Sequence, residues 1–289
     1  MSPLKAIRNY LELIRFSHTL FALPFALAAM LVAQDGLPRW DTILLILAAM
    51  VTARSCAMAL NRLADARLDA RNPRTSLRHI PAGILHPGSV VLFAVVCAAL
   101  FVLTTAFINR LALMLSPVVI GLFIFYPFTK RFTSLTHFVL GAALGLAPVG
   151  AWIAVRGRLD LPPVVFGAAV LCWVAGFDVI YATLDEAFDR EAKLHSLVVT
   201  LGAKPSLVVA LVLHVATLVL LGLFRFLAPA LGLFYAVGLA IIAALLAYEH
   251  LIIRTYPDDP RRINIAFFRV NAIVSLIVLA AAALDVLLP

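Results

Sequence analysis

Two groups of acidic side chains recur along the chain at the spacing of one helical turn. Asn61, Asp65 and Asp69 are four residues apart, so a helix places all three on one face. A second group further along contains Asp185 and Asp189. Carboxylates that lie close together cannot all stay ionised without a compensating cation. Mg²⁺ prefers such oxygens and is commonly completed by water and substrate phosphates. The two groups, with the amide oxygen of Asn61, therefore predict a split magnesium site.

Basic side chains near the acidic groups suit an anionic ligand. Arg71, Arg74 and Arg78 occupy a turn-rich loop after the first group, and Lys130 and Arg131 follow a later apolar run. A guanidinium group can donate two parallel hydrogen bonds to the oxygens of a diphosphate. The alternative is a solvated face with scattered ion pairs. Two acidic groups at the same membrane depth, with basic loops beside them, favour a metal–diphosphate site.

A metal–diphosphate site at the end of apolar helices predicts an amphiphilic substrate. A polyprenyl diphosphate has the required anionic head and hydrocarbon tail. The metal and the basic side chains would stabilise negative charge on the leaving diphosphate. Departure of the diphosphate leaves an allylic cation that an electron-rich acceptor attacks, while apolar walls exclude water.

Two ionisable residues fall inside apolar runs. Arg54 lies seven residues before Asn61, and Asp178 lies three residues before Tyr181. An ionisable group at membrane depth is costly and usually faces a cavity. Asp178 and Tyr181 are therefore predicted to line a cavity. The alternative is a structural Arg54–Asp178 pair between helices. The seven histidines are scattered without an HxxxH pair, so each is assigned a structural or solvated role.

The composition predicts the elements that position these groups. The 289 residues are 64% hydrophobic and only 13% charged, whereas soluble domains are ~45–50% apolar and ~25% charged. Because lipid satisfies no backbone hydrogen bond, the expected fold is all-α. It is expected to be one membrane domain over residues 1–289, opened by an amphipathic interfacial helix at 3–16. Nine transmembrane helices are predicted near 17–34, 41–66, 87–107, 109–127, 134–155, 162–189, 205–224, 228–254 and 263–287.

The distribution of basic residues predicts the orientation in the membrane. With the N-terminus inside, 17 of the 23 Lys and Arg residues fall on the inner side and 5 on the outer side. Cytoplasmic loops are rich in Lys and Arg, so the N-terminus and both acidic groups are expected in the cytoplasm. Nine spans then place the C-terminus outside. The expected location of the protein is a bacterial inner membrane. The net charge of +8 has the same explanation and does not indicate nucleic-acid binding.

These motifs together resemble the UbiA superfamily of membrane prenyltransferases. The first family motif, NxxxDxxxD, is present as Asn61, Asp65 and Asp69, and the second as Tyr181, Ala182, Asp185 and Asp189. The run Tyr126-Pro127-Phe128-Thr129-Lys130-Arg131-Phe132-Thr133, and Arg54 seven residues before Asn61, look like the 4-hydroxybenzoate branch. Each DxxxD is a weak signal alone, whereas both in order, with the basic run between them, are a strong one.

The resemblance implies a nine-helix bundle around a central cavity, capped by cytoplasmic loops. It implies transfer of a polyprenyl chain onto the ring of an aromatic acid, 4-hydroxybenzoate, in ubiquinone or menaquinone biosynthesis. The four aspartates and Asn61 would hold Mg²⁺ and diphosphate, and Lys130 and the loop arginines would bind the diphosphate directly. Arg54 would contact either the acceptor's carboxylate or a diphosphate oxygen. Tyr126, Arg131, Asp178 and Tyr181 complete the substrate-binding candidates.

Two alternatives remain open, and a third is excluded by its motif. The family often has Asn-Asp at the head of the first motif, where this chain has Asn61-Arg62. The segment ALNRLADARLDARNPRT resembles forms from bacteria that make menaquinone by the futalosine route, which would make the acceptor a dihydroxynaphthoate. The polar residues at membrane depth also suit a transporter of two similar halves. A CDP-alcohol phosphotransferase needs a DG-x2-AR context between its acids, which this sequence lacks.

Overall fold

Helices account for the regular secondary structure in the described part of the chain. The computed structural model describes residues 3–14, 21–255 and 259–288. Within these ranges the helices are α1 (Pro3–Leu13), α2 (Leu23–Gln34), α3 (Trp40–Arg71), α4 (Pro87–Ile108), α5 (Arg110–Thr129), α6 (Thr136–Arg156), α7 (Leu161–Ala182), α8 (Glu186–Glu191), α9 (Leu197–Leu201), α10 (Ala203–Leu227), α11 (Leu233–Thr255), α12 (Pro260–Asn264) and α13 (Asn271–Leu287). A 3-10 turn, Thr183–Asp185, precedes α8, and a π-helical segment, Ile265–Val270, precedes α13. The all-α prediction is confirmed.

Eight helical segments within the described ranges are long and apolar enough to cross a membrane. They correspond to eight of the nine predicted spans and make the chain a multi-pass membrane protein. The remaining prediction, near 17–34, corresponds to α2, which has 12 residues. A helix of that length is about 18 Å long, less than the ~30 Å thickness of a bilayer core. Residues 17–20 of that prediction lie outside the described ranges. The predicted number of spans, nine, is therefore close to but not equal to the eight found among the described residues.

Two predicted spans end at different residues from the helices in the structure. Helix α3 continues to Arg71, five residues past the predicted end at residue 66. The continuation, RLDAR, contains Arg, Leu and Ala, which are strong helix formers. The span predicted over 162–189 is interrupted, because α7 ends at Ala182 and the 3-10 turn follows. The first acidic group therefore lies on one helix and the second does not.

The chain divides into two compact units, and unit 1 contains Met1–Thr19 and Ile43–Thr129. Its buried cluster joins α1, α3 and α4 through Leu13, Ala59, Leu85, Val90 and Ala94. The predicted amphipathic helix at 3–16 is helical over Pro3–Leu13, and its residues 15–16 lie outside the described ranges. This helix buries Leu13 and leaves Ile7 58% exposed, as suits a helix with one face on protein and one on lipid headgroups.

Unit 2 contains Leu20–Thr42 and Lys130–Pro289 and is organised around α7. The closest helix contacts in this unit use glycine. A Cβ on Gly145 of α6 would lie 2.5 Å from the carbonyl oxygen of Gly167 on α7. On the other side of α7, a Cβ on Gly176 would lie 2.5 Å from the imidazole of His214. Small residues allow such close approach where helices pack inside a membrane.

A buried polar chain ties α7, α11 and α13 together within unit 2. The indole nitrogen of Trp173 donates to Asn271 Oδ1 at 2.7 Å, and Asn271 Nδ2 donates to Glu249 Oε1 at 3.1 Å. All three residues are fully buried. Because the membrane interior offers no water, such polar groups must find partners within the protein. The network therefore fixes the rotation of three helices about their axes.

Candidate functional site

The first acidic motif occupies one face of the last turns of α3. Asp65 and Asp69 are only 4% and 6% exposed, and Asn61 is half-buried. Arg62, which directly follows Asn61, points to a different part of unit 1, where its Nε lies 3.4 Å from the carbonyl oxygen of Leu13 at the end of α1. A cation suits the C-terminal end of a helix. Arg62 therefore leaves the acidic face to the asparagine and the aspartates.

The loop after α3 folds back onto the second aspartate of the motif. Asn72 Oδ1 accepts the backbone N–H of Arg74, and Thr75 Oγ1 donates to the carbonyl oxygen of Asp69 at 3.1 Å. These turns bring Arg78 back to the helix, where its Nη1 donates to Asp69 Oδ1 at 2.6 Å. The other oxygen, Asp69 Oδ2, is buried and accepts no hydrogen bond from the described residues. A buried carboxylate oxygen that accepts no hydrogen bond is suited to bind a cation.

Helix α1 fixes the same loop from the other side. His79, next to Arg78, lies with its Nε2 3.4 Å from Glu12 Oε2. Arg8 also donates to Glu12 at 2.7 Å. The hydrogen bond from Arg8, with a smaller contribution from His79, lowers the pKa of the Glu12 carboxyl. Glu12 is therefore held ionised beside the loop that carries Arg78.

The three loop arginines have different environments. Arg78 is half-buried and paired with Asp69, whereas Arg71 and Arg74 are exposed. The prediction grouped all three as diphosphate ligands from their place in the sequence. The structure brings Arg78 to the acidic motif and leaves the other two exposed, Arg71 at the end of α3 and Arg74 in the loop.

The second acidic motif lies where α7 ends. Asp178 and Tyr181 are on α7, Asp185 closes the 3-10 turn, and Asp189 is on α8. All four are partly buried. The sequence analysis predicted one continuous span over 162–189, whereas the structure has a 3-10 turn at Thr183–Asp185. The hydroxyl of Thr183 donates to the carbonyl oxygen of Ile180 at 2.7 Å, and such a bond competes with regular helical pairing.

The basic run is anchored close to the second motif. Tyr126 is half-buried in the last turn of α5, Lys130 is half-buried, and Arg131 is exposed. The carbonyl oxygen of Lys130 accepts the backbone N–H of His195 at 2.7 Å, while the backbone N–H of Leu194 bonds to the carbonyl oxygen of Asp189 at 2.8 Å. Lys130 is thereby tied to the short loop that follows Asp189.

The two intramembrane residues have different surroundings. Arg54 is half-buried on α3, and its Nε–H donates to no hydrogen-bond acceptor among the described residues. Asp178 is paired with His137 of α6, whose Nδ1 lies 2.7 Å from Asp178 Oδ2. Sequence reasoning missed His137 because no spacing rule connects it to a motif. Its one signal was an imidazole inside an apolar run, where polar residues usually have a function.

The described residues contain no group of three or more His, Cys, Asp or Glu side chains that could by itself hold a metal ion. Mg²⁺ does not require such a group, because it usually keeps several waters and is held by one or two carboxylates and substrate phosphates. The adjacent buried carboxylates of Asp65 and Asp69 meet that smaller requirement within unit 1.

A sequence model of the UbiA prenyltransferase family matches residues 22–273. The chain belongs to this family. It is 31% identical over 258 residues to a 4-hydroxybenzoate octaprenyltransferase of Saccharophagus degradans, covering 87% of this chain and 85% of that protein. It is 33% identical over 262 residues to a 4-hydroxybenzoate octaprenyltransferase of Vibrio cholerae, covering 88% and 89%.

Solved structures of UbiA homologues share the fold. A UbiA homologue from Aeropyrum pernix, solved in its apo form, superimposes with a TM-score of 0.84 at 31% identity over 93% of this chain and 98% of that one. A UbiA homologue from Archaeoglobus fulgidus, solved bound to GPP and Mg²⁺, gives a TM-score of 0.73 at 20% identity over 95% and 99%. The predicted family is confirmed, and the chain is a prenyltransferase enzyme. The transporter alternative has no support from this membership.

Proposed function

We propose that this UbiA-family enzyme transfers a polyprenyl group from its diphosphate to the ring of a phenolic aromatic acid, with 4-hydroxybenzoate as the acceptor. The acceptor is supported by the names of relatives that match most of the chain at 31% and 33% identity. The observation that carries the chemistry is Asp69, a buried carboxylate with Arg78 on one oxygen and a second oxygen available to a cation. That arrangement suits a metal-bound diphosphate.

The side chains proposed to bind Mg²⁺ are Asn61, Asp65 and Asp69 in unit 1, and Asp185 and Asp189 in unit 2. When bound, the ion supplies positive charge that stabilises the departing diphosphate. A homologue from Archaeoglobus fulgidus was solved with Mg²⁺ and either GPP or DMAPP, which supports Mg²⁺ and a prenyl diphosphate as the ligands.

The basic side chains are proposed to hold the diphosphate. Arg78 both positions Asp69 and offers its remaining N–H groups to a diphosphate oxygen, as a guanidinium has five donors. Arg71, Arg74, Lys130 and Arg131 are proposed as further contacts that order around the anion. Arg54 is proposed deeper in the site, on either the acceptor's carboxylate or a diphosphate oxygen, because it lies seven residues, or about 10 Å along the helix, before Asn61.

A dihydroxynaphthoate is the second candidate acceptor, and the sequence around Asn61-Arg62 motivates it. Both candidates are phenolic acids, so the same alkylation applies to each. The orientation in the membrane is likewise proposed, with both acidic motifs in the cytoplasm and the C-terminus outside. Cytoplasmic substrates and a lipid-borne prenyl chain would then meet at the inner face of the bilayer.

The acceptor is tested with purified enzyme in lipid nanodiscs. A polyprenyl diphosphate and Mg²⁺ are supplied with equal concentrations of 4-hydroxybenzoate and 1,4-dihydroxy-2-naphthoate or its 6-carboxy isomer, and products are separated by mass. The proposal predicts prenylated 4-hydroxybenzoate as the main product. Exclusive prenylation of a naphthoate would select the second candidate, and prenylation of none of these acids would reject a phenolic-acid acceptor.

A further inference from the structure

A histidine–aspartate pair lies deeper along α7 than the acidic motif. His137 Nδ1 and Asp178 Oδ2 are 2.7 Å apart, and the side chains are 3% and 23% exposed. Both residues belong to unit 2. Among the described residues, His137 is the polar partner of Asp178. The pair thus combines a buried imidazole with a carboxylate that remains partly accessible.

The surroundings of the imidazole assign its role in the pair. His137 Nε2 is buried and has no hydrogen-bond partner among the described residues. A proton on Nε2 would be a buried donor without an acceptor, which is costly. We therefore assign the proton to Nδ1, which donates to the Asp178 carboxylate. His137 then fixes one oxygen of Asp178, and the second oxygen stays available to a ligand.

Asp178 belongs to a series of partly accessible polar side chains that runs from the end of α7 through the 3-10 turn into α8. Residues Asp178, Tyr181, Asp185 and Asp189 are all partly exposed, whereas Val174 and Ala175, one turn earlier, are fully buried. Asp178 and Asp185 are joined by the last four residues of α7 and the three residues of the 3-10 turn, a rise of about 12 Å. A hydroxyl bonded to Asp178, the neighbouring ring carbon, the first prenyl carbon and a diphosphate near Asp185 can together span this interval.

We propose that Asp178 binds the phenol hydroxyl of the acceptor and that His137 is the residue that positions Asp178. This inference rests on the proposed function and names the specificity element of the same site. A carboxylate beside the hydroxyl presents the neighbouring ring carbon to the prenyl group and shields the oxygen from alkylation. The pair therefore directs the prenyl group to carbon.

The step balances without a further reactant. The ring carbon next to the hydroxyl forms its bond to the first prenyl carbon, and the bond from that carbon to the diphosphate oxygen breaks with its electron pair on the diphosphate. The hydroxyl proton moves to Asp178, leaving a neutral dienone. The ring proton at the alkylated carbon then leaves to the diphosphate or water, Asp178 returns its proton to the oxygen, and the ring regains aromaticity.

Variants of His137 separate positioning from packing. Asn places an amide N–H where the imidazole has Nδ1, so His137→Asn keeps the donor, whereas His137→Leu removes it at similar volume. We expect His137→Leu to lower kcat/KM for the acceptor by about ten- to a hundredfold, as for loss of a hydrogen bond to a charged group. His137→Asn recovers most of that loss, and the KM for prenyl diphosphate is unchanged in both.

A second buried histidine gives the matched control. His214 is 1% exposed, lies against Gly176, and bonds to His250 rather than to a carboxylate in reach of the substrate. His214→Leu is expected to lower thermal stability without changing the ratio of acceptor to donor KM. Asp178→Asn, which keeps the shape of the side chain, is the companion variant if His137→Leu does not fold. It is expected to raise the proportion of product prenylated on oxygen.

The outcomes are distinguishable. If wild-type enzyme prenylates a phenolic acid but the His137 variants and Asp178→Asn keep its acceptor kcat/KM and its carbon-to-oxygen product ratio, the assignment of the pair is wrong while the proposed function stands. Equal losses for donor and acceptor, as in a packing defect, also overturn it. If wild-type enzyme prenylates no phenolic acid, the proposed function fails and this inference fails with it.

Discussion

Arg78 Nη1 and Asp69 Oδ1 are joined by a hydrogen bond of 2.6 Å that closes the loop after α3. The partners are nine residues apart, and the Asp69 side chain is 8% exposed. The guanidinium of Arg78 neutralises and orients the buried carboxylate of Asp69 through Oδ1. The other oxygen, Oδ2, remains able to bind a second cation. As a proposed Mg²⁺ ligand, Asp69 would be held in place before the substrate arrives, and preorganised charge of this kind is usually the largest single contribution to catalysis.

Replacing Arg78 tests this relationship. Arg78→Ala is expected to lower kcat/KM for prenyl diphosphate by about tenfold or more, because a charge-assisted hydrogen bond is lost from a buried carboxylate. Arg78→Lys should recover part of the activity, since a lysine keeps the charge but not the planar fork. The measurement is steady-state diphosphate release at saturating acceptor. Arg67→Ala, which removes an exposed arginine of α3, is the control; equal effects of the two alanine variants would contradict the assignment.

Helix packing in unit 2 makes a second prediction. Gly145→Ala would put a methyl group 2.5 Å from the carbonyl oxygen of Gly167, whereas a Cβ on Gly150 of the same helix meets nothing within 4 Å. Gly145→Ala is expected to destabilise the protein by about 1–3 kcal/mol, in the range of overpacked cores. Gly150→Ala should be neutral or slightly stabilising. Thermal unfolding in detergent compares the two, and equal melting temperatures would show that the α6–α7 contact is looser than described.

Asp285 provides a third prediction as the N-terminal cap of α11. Its carboxylate accepts the backbone N–H groups of Gly232, Phe234 and Tyr235 at 2.7–3.0 Å. Asp285→Ala leaves three donors unsatisfied and should cost about 1–3 kcal/mol of unfolding free energy. Asp41→Ala, which removes an exposed ion pair with Arg39, should cost at most about 1 kcal/mol. A denaturation series on both variants decides, and a smaller loss at Asp285 would refute the capping role.

The buried network around Asn271 makes a fourth prediction. Asn271→Leu removes the acceptor of Trp173 and a donor to Glu249, both fully buried, and should cost about 1–3 kcal/mol. Adding Glu249→Leu removes one orphaned group, so the double variant should be less destabilised than the sum of the single ones. A double-mutant cycle by thermal unfolding measures this coupling. Additive losses would mean that the two side chains act independently.

The sequence was enough to predict most helices and the first motif, because both follow from strong local rules. Long apolar runs must be helical in lipid, and four-residue spacing puts Asp65 and Asp69 on one face. The break at Thr183–Asp185 could not be predicted, since it depends on a local hydroxyl bond and on the packing of α7. The His137–Asp178 pair was also hidden, because its members are 41 residues apart and meet through the close packing of α6 and α7.

Roles within a group of like residues were the least predictable from sequence. Arg71, Arg74 and Arg78 are close in sequence and share a charge, yet only the fold of the loop after α3 distinguishes the half-buried Arg78 from the two exposed arginines. Arg62, which departs from the family pattern, is explained by its contact with the carbonyl oxygen of Leu13 at the end of α1. Which side chain meets which partner was determined by tertiary turns that spacing alone does not encode.

The most direct test of the central claim is the Mg²⁺ dependence of diphosphate release in one aspartate variant of each motif. With polyprenyl diphosphate and 4-hydroxybenzoate, Asp65→Asn and Asp185→Asn are each expected to lower turnover by about two orders of magnitude, as for loss of a charged group that stabilises the transition state. Both should also require more Mg²⁺ for half-maximal rate. Asp35→Asn, at an exposed αL position that asparagine tolerates, should match wild type. Wild-type turnover and Mg²⁺ response in both motif variants would contradict the metal–diphosphate site.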